Sequence, residues 1–217
     1  MSSPLSRACG GVVLAAVLLS PAGCGRSTDG VPTVGAAAST PGSVDDLEPL
    51  LVDEVPSGLP RLPDEDLHPP AGAKRVEDVA SYSDDPARER GVLAEYGYRF
   101  GWERFWGHGA GPLTGVFVDE FQDAAGARSY AEDLARNDAE LYGGMLREEP
   151  PHLPDDCRLL TVEDAVPEEE LHGPASMAWC AHGVFSVSVT AVADSVDSAE
   201  EEVRAVLDQQ LDRLPPG

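Results

Sequence analysis

Apolar residues recur at intervals of three and four in three stretches of the chain, which predicts three amphipathic helices. These stretches lie at about 86–96, 123–142 and 198–214. Asp or Ser at the start of each can accept hydrogen bonds from the free amides of the first turn, and glycine after the first two suits a left-handed terminus. The second helix should bury a stripe made of Ala127, Tyr130, Ala131, Leu134 and Leu141.

Alternating patterns between the helices predict β-strands. Residues 98–106 and 113–121 should form a hairpin, with Tyr98, Phe100 and Trp102 on one face, while Phe105 and Trp106 break the alternation and favour a bulge there. A short strand is expected at 158–162.

The clearest hairpin covers residues 175–192, with a turn predicted at His182-Gly183. This register places Cys180 opposite Phe185 and Ala178 opposite Val187. One face then carries the small and apolar side chains, which we expect to point inward: Ser176, Ala178, Cys180, Phe185, Val187 and Val189.

A hairpin followed by a helix occurs twice, which predicts an α+β fold with helices packed on an antiparallel sheet of about four to six strands. The two units suggest a hairpin-helix pseudo-repeat, although convergence on a simple unit explains them equally well. The single domain should cover residues 45–217. Leu47, Leu50 and Leu51 suit a short helical turn, and the Pro-rich stretch to residue 70 is expected to be an ordered coil, with a disordered linker as the alternative.

The first 24 residues have the order of a secretory signal: a cation at Arg7, an apolar run at 10–19, and small residues before Cys24. The run is shorter than the roughly 20 residues that span a bilayer. Ala22, Gly23 and Cys24 resemble a bacterial lipobox, from which Pro21 departs. The resemblance implies a signal peptide over 1–23 and a diacylglycerol on Cys24, with free secretion as the alternative.

Residues 24–44 are small, polar and interrupted by Pro and Gly, so they have little to bury and should form a flexible tether. The lipobox and the tether together predict a domain held at the extracytoplasmic face of the cell membrane by its lipid anchor. Secretion without an anchor is the alternative location.

The formal net charge is −24, from 39 acidic and 15 basic residues. Such a surface repels nucleic acid and anionic headgroups, so a nucleic-acid partner is not expected and a charged partner should be cationic. Solubility outside the cell explains the same charge without any partner.

Cysteine use supports export. Cys9 and Cys24 belong to the signal region, which leaves Cys157 and Cys180 as an even pair for a disulfide. A metal or catalytic role for this pair is disfavoured because no second cysteine or close histidine gives ligand spacing.

The chain carries no G-x-S-x-G, P-loop or G-x-G-x-x-G motif, and its five histidines form no zinc pattern. We therefore predict no catalytic residue, metal site or cofactor. Asp119 and Glu120 should point to opposite faces of a strand. Trp102, Trp106 and His108 are the candidate ligand-binding residues, because aromatic groups line grooves and loops carry sites, with core packing of the rings as the competing interpretation.

Short stretches of the chain resemble the sensor-like lipoproteins of actinobacteria and, more distantly, the extracellular sensor domains of actinobacterial serine/threonine kinases. These stretches are residues 50–58, the aromatic strand after Gly97, 116–127 and 183–211. The resemblance implies an α+β domain with a cleft for an extracytoplasmic ligand, and it carries over no ligand-binding residue.

The sequence therefore favours an anchored, non-catalytic ligand-binding or sensor-like domain whose partner is an unknown envelope ligand or protein. An envelope hydrolase and a structural or protein-interaction module are the alternatives. A cleft uniting His108 with carboxylates would favour the hydrolase, and an apolar cleft lined by Trp102 and Trp106 would favour ligand binding.

Overall fold

The computed structural model describes residues 40–108, 111–164, 166 and 171–216. The predicted signal peptide, Cys24 and the tether up to residue 39 lie outside this part of the chain. Within it, no helix is long and apolar enough to cross a membrane.

Seven antiparallel strands form one sheet in the described part, and four helices pack against it, which confirms the α+β class. The strands are β1 Gly72–Lys74, β2 Tyr98–Gly107, β3 Leu113–Phe121, β4 Met145–Arg147, β5 Cys157–Val162, β6 Ala175–His182 and β7 Phe185–Val192. The helices are α1 Val76–Ala80, α2 Pro86–Tyr96, α3 Ala124–Tyr142 and α4 Val196–Arg213. The sheet exceeds the predicted size because β1 and β4 have only three residues, too few to show alternation.

The strands lie in the order β1-β2-β3-β7-β6-β5-β4, so the two long hairpins meet at the β3–β7 pair in the middle. Helix α4 covers one face, here called the α4 face, and α3 with α1 and α2 covers the other, the α3 face. Both faces of β6 are buried, since Cys180 belongs to the α4 face and Trp179 to the α3 face. The inward set predicted for the β6–β7 hairpin does share the α4 face.

The α4 face over β2 and β3 is covered by residues 41–59, here called the strap. Its two short 3-10 turns, Val44–Asp46 and Glu48–Leu50, bury Leu47 and Leu51 completely. Polar side chains hold its backbone: Gln210 Nε2 donates to the Leu50 carbonyl at 2.9 Å, and Arg104 Nη1 donates to the Val52 carbonyl at 2.7 Å. The strap is therefore an ordered coil, and Val44 already packs in the core.

The β6–β7 turn differs from its predicted position. Gly183 and Val184 form the turn, His182 pairs with Phe185, and Cys180 lies opposite Val187. Gly183 has a φ of 58°, the conformation for which the turn needed a glycine. The register is displaced by two residues, which preserves the side on which every residue lies, so the predicted faces survive the wrong pairing.

The bulge predicted in β2, the first strand of the other hairpin, lies at a different position. The irregularity lies between Tyr98 and Phe100, and Phe105 and Trp106 pair regularly with β3. Because one extra residue reverses the alternation, Tyr98 packs on the α3 face, whereas Trp102 packs on the α4 face.

Two helix predictions were wrong in detail. Leu141 is 49% exposed, because the buried side of α3 drifts to Ala139 and Tyr142 in the last turns. Helix α4 begins at Val196, with Ser195 Oγ accepting from the Ser198 amide, so the helix and its capping serine lie earlier than the start predicted at residue 198. The order of hairpin then helix does recur, but α3 and α4 lie on opposite faces of the sheet. Because β3 and β7 are antiparallel neighbours, a two-fold axis that exchanges them is perpendicular to the sheet and would place both helices on the same face. The two hairpin-helix units are therefore not related by such a rotation.

The disulfide is confirmed. Cys157 and Cys180 are directly paired residues of β5 and β6, with Cα atoms 4.1 Å apart, and both are buried on the α4 face. The bridge joins the short strand β5 to the central hairpin.

Candidate functional site

The three residues predicted from the sequence do not line a common groove. Trp102 and Trp106 share the α4 face and are 8% and 1% exposed, packed with the strap in the core. Trp106 Nε1 donates to the carbonyl of Asp53 in the strap at 3.4 Å. His108 is exposed just after β2, and its side chain forms no ion pair with the described residues.

A different concave site lies between α2 and α3, with a cavity volume of about 390 Å³. We call it the interhelix groove. It is lined by Ser83, Asp84, Asp85, Arg88, Glu89, Val92, Tyr96, Tyr130, Asp133, Leu134 and Asn137.

A glycine explains how the two helices approach each other at one end of the groove. A Cβ atom on Gly126 would lie 1.9 Å from the carbonyl oxygen of Tyr96, so only glycine permits this contact. One turn further along α3, the rings of Tyr96 and Tyr130 meet edge to face with centroids 5.5 Å apart. The close contact therefore fixes two tyrosines side by side at this end of the groove.

Tyr96 is held by a carboxylate of the facing helix. Its hydroxyl donates to Asp133 Oδ2 at 2.5 Å, and Arg136 Nη1 donates to Asp133 Oδ1 at 3.0 Å. Partial burial, together with this hydrogen bond, raises the pKa of Tyr96 to about 12. The ring is therefore neutral and fixed in position at physiological pH.

The walls of the groove are predominantly acidic. Four carboxylates line it against one guanidinium, Arg88, which is exposed. Asp85 Oδ1 accepts from the Arg88 amide at 3.1 Å and so caps α2. Glu89 forms no ion pair with any residue that the structure describes.

Tyr130 connects the groove to a second group of charges nearer the sheet. Burial raises the pKa of Tyr130 well above its usual range, and the charges of Asp119, Glu89 and Glu103 raise it further. Tyr130 also contacts Tyr98, with ring centroids 6.5 Å apart. Carboxylates on the sheet therefore add to the negative potential at Tyr130, which lines the groove.

The first of these carboxylates is Glu103 of β2, which is 7% exposed. Lys74 Nζ lies 3.1 Å from its Oε2, and the Tyr82 hydroxyl donates to its Oε1 at 2.9 Å. Burial raises the pKa of Glu103, and the Lys74 ammonium opposes the shift.

The second carboxylate is Asp119 of β3. Burial, reinforced by the charge of Glu103, raises the pKa of Asp119 to about 7, and the Tyr98 hydroxyl opposes the shift. Gly101 makes room for this arrangement, because a Cβ there would lie 2.1 Å from Asp119 Oδ1 and 2.8 Å from the Tyr98 hydroxyl oxygen. Asp119 lies directly opposite Gly101 across the β2–β3 pair.

Sequence reasoning placed Asp119 and Glu120 on opposite faces of a strand, but it missed Glu103 beside Asp119. Asp119 and Glu120 do point to opposite faces, as expected, and Glu120 is fully buried on the α4 face with Arg99. The cross-strand register places Glu103 diagonally opposite Asp119 on the α3 face. The pairing depends on a regular strand at Phe105 and Trp106, where the sequence predicted a bulge, and the convergence of α2 and α3 depends on a tertiary contact at Gly126.

Comparisons with known proteins do not identify a family. No family model and no curated protein matches the sequence. Among solved structures, the chain is similar to the extracellular domain of PknH from Mycobacterium tuberculosis, with 14% sequence identity and a TM-score of 0.41. The similarity covers 67% of this chain and 79% of that one.

Proposed function

We propose that the protein is a cell-envelope lipoprotein whose extracytoplasmic domain binds a ligand in the interhelix groove without transforming it. The observation that carries the proposal is the groove itself: a concavity of about 390 Å³ with two fixed tyrosines and several carboxylates. Pockets of about 300–1,000 Å³ with a few oriented polar groups are typical of small-molecule sites.

Binding explains the polar groups better than catalysis does. A general acid or base must reach the proton that it transfers. Glu103 is buried and held by both Lys74 and Tyr82, and Asp133 is held by both Tyr96 and Arg136. These contacts orient the carboxylates and leave them little freedom to act on a substrate.

The location is proposed from the sequence. Cys24 follows a secretory signal at a lipobox-like site, and two or more acyl chains suffice for stable anchoring. The stretch that follows Cys24 would separate the domain from the membrane. The partners are thus the membrane, through the lipid, and an envelope ligand or protein.

Cys24→Ala should release the protein from the membrane fraction, because it removes the thiol that would carry the diacylglycerol. Cys9→Ala is the matched control and should leave the protein in that fraction, since Cys9 precedes the proposed cleavage point. Cell fractionation with immunodetection measures both variants. Retention of Cys24→Ala in the membrane would contradict the anchoring.

A ligand screen tests the binding function. The purified protein is heated with fractions of an envelope extract, and a ligand present at 100 times its Kd stabilises by about 2.7 kcal/mol. For a domain of this size, that corresponds to a rise of about 5–10 °C in Tm. The absence of a shift with every fraction would count against a binding domain.

A further inference from the structure

The chemistry of the interhelix groove narrows the class of its ligand. The Tyr96 and Tyr130 side chains both line the groove, and their rings pack edge to face at an angle of 71°. Tyr98 lies behind Tyr130, with its ring inclined by 55° to that of Tyr130. The negative faces of aromatic rings attract cations within about 6 Å.

The charges around these rings also favour a cationic ligand. Asp84, Asp85, Glu89 and Asp133 line the groove, and Arg88 is the lining cation. Arg136 compensates Asp133, whereas Glu89 has no ionic partner among the described residues. A groove with excess carboxylates concentrates positively charged ligands.

One tyrosine hydroxyl of the groove has no hydrogen-bond partner among the described residues. Tyr130 is 8% exposed and lines the groove, yet its hydroxyl makes no hydrogen bond within the described ranges. The Tyr130 hydroxyl is therefore available to a molecule that occupies the groove.

The carboxylates are too dispersed for a metal ion. In the part of the chain that the structure describes, no group of three or more His, Cys, Asp or Glu side chains is arranged to hold one. Dispersed carboxylates combined with aromatic faces suit a larger cation with a diffuse charge, as in aromatic cages for quaternary ammonium groups.

We infer that the interhelix groove binds a small organic cation with an alkylated nitrogen, of the quaternary ammonium type. The inference rests on the proposed function, because it assigns a ligand class to the same groove. The rings of Tyr96 and Tyr130 contact the alkyl groups, and Glu89 supplies a carboxylate that no described cation compensates.

Choline and its neutral isostere 3,3-dimethyl-1-butanol test the inference, since they differ in the charged nitrogen and share nearly the same shape. The anion 3,3-dimethylbutyrate completes the series. Each is titrated into the purified protein while NMR follows the resonances of Tyr96, Tyr130 and the α2 amides. We expect choline to shift these resonances saturably, with a Kd at least about tenfold lower than that of either other compound.

Glu89→Gln tests the role of the charge without changing the shape of the side chain. It should raise the Kd for choline at least about threefold and leave weak binding of the neutral alcohol unchanged. Glu201→Gln removes the same charge from an exposed position on α4, on the other face of the sheet, and should leave choline binding unchanged. Equal Tm values establish that both variants are folded.

Equal or tighter binding of the alcohol or the anion would overturn the inference, and so would unchanged choline binding in Glu89→Gln. Failure of all three probes to shift groove resonances would also overturn it. The binding function would survive that failure if a fraction of the envelope extract still raised the Tm and shifted groove resonances. The two claims therefore fail separately.

Discussion

At the residue scale, the most consequential feature is the pair of carboxylates on the α3 face of β2 and β3. Asp119 has a pKa near 7, whereas an aspartate in an unfolded chain titrates near 3.8. The folded state therefore retains a proton that the unfolded state has lost. Stability should fall as the pH rises from about 4 to about 7, and this contribution should be constant above that range.

Asp119→Asn tests this directly, because asparagine stays neutral at every pH. We expect the Tm of the variant to equal that of the native protein at pH 4 and to exceed it by about 2–4 °C at pH 8, after allowance for solvent screening. Thermal unfolding followed by circular dichroism across this range measures the effect. Asp212→Asn, on the exposed side of α4, is the control.

A Tm at pH 8 that is unchanged or lowered in Asp119→Asn would contradict the raised pKa of Asp119. The pH dependence should weaken without vanishing, because burial also raises the pKa of Glu120 to about 7 and that of Asp138 to about 6. Those two carboxylates titrate over the same range in the variant.

At the scale of elements, the strap replaces a helix as the cover of the β2–β3 hairpin on the α4 face. Its apolar side chains fill the space over Trp102 and Trp106, which is why these rings serve the core. The two 3-10 turns of the strap satisfy part of its backbone, and the remaining polar groups need other partners. Side chains of α4 and β2 therefore supply the hydrogen bonds, and Gln210 supplies two of them at once.

Gln210→Leu should loosen the strap. The change leaves the buried Val52 amide and the Leu50 carbonyl without their partner, at a cost of about 2–6 kcal/mol. Amide hydrogen exchange should therefore accelerate at Val52. Gln209→Leu, at an exposed neighbouring position, should leave the exchange rate unchanged. Equal Val52 exchange in Gln210→Leu and the native protein would contradict the role of Gln210 in holding the strap.

Elements with a strong local pattern were predictable from the sequence. Helix α2 has its capping aspartate, first-turn proline and terminal Gly97 within one stretch, and it forms as predicted. The three-residue strands β1 and β4 carry no such pattern, because pairing with β2 and β5 creates them. The irregularity at the start of β2 reversed the face of Tyr98, which alternation alone could not reveal.

At the scale of the whole molecule, the net charge of −24 indicated that a partner, if charged, should be cationic, and solubility explained the same charge without a partner. The structure contains an acidic, tyrosine-lined groove that could take such a partner. The groove itself could not be predicted, because it forms where α2 and α3 diverge from the contact of Gly126 with Tyr96. Residues far apart in sequence build it, and no short motif links them.

If the envelope ligand occupies the interhelix groove, a variant that fills the groove should no longer bind it. Val92→Trp places an indole in the groove at a half-buried position outside the three hydrophobic clusters. Ala87→Trp adds the same group at an exposed position of α2 that does not line the groove. The measurement is the rise in Tm that the active envelope fraction produces in each variant.

We expect Val92→Trp to fold with a Tm close to that of the native protein and to lose the rise in Tm, whereas Ala87→Trp should keep it. A full rise in Val92→Trp would contradict binding in the interhelix groove, because the ligand would then bind elsewhere on the domain.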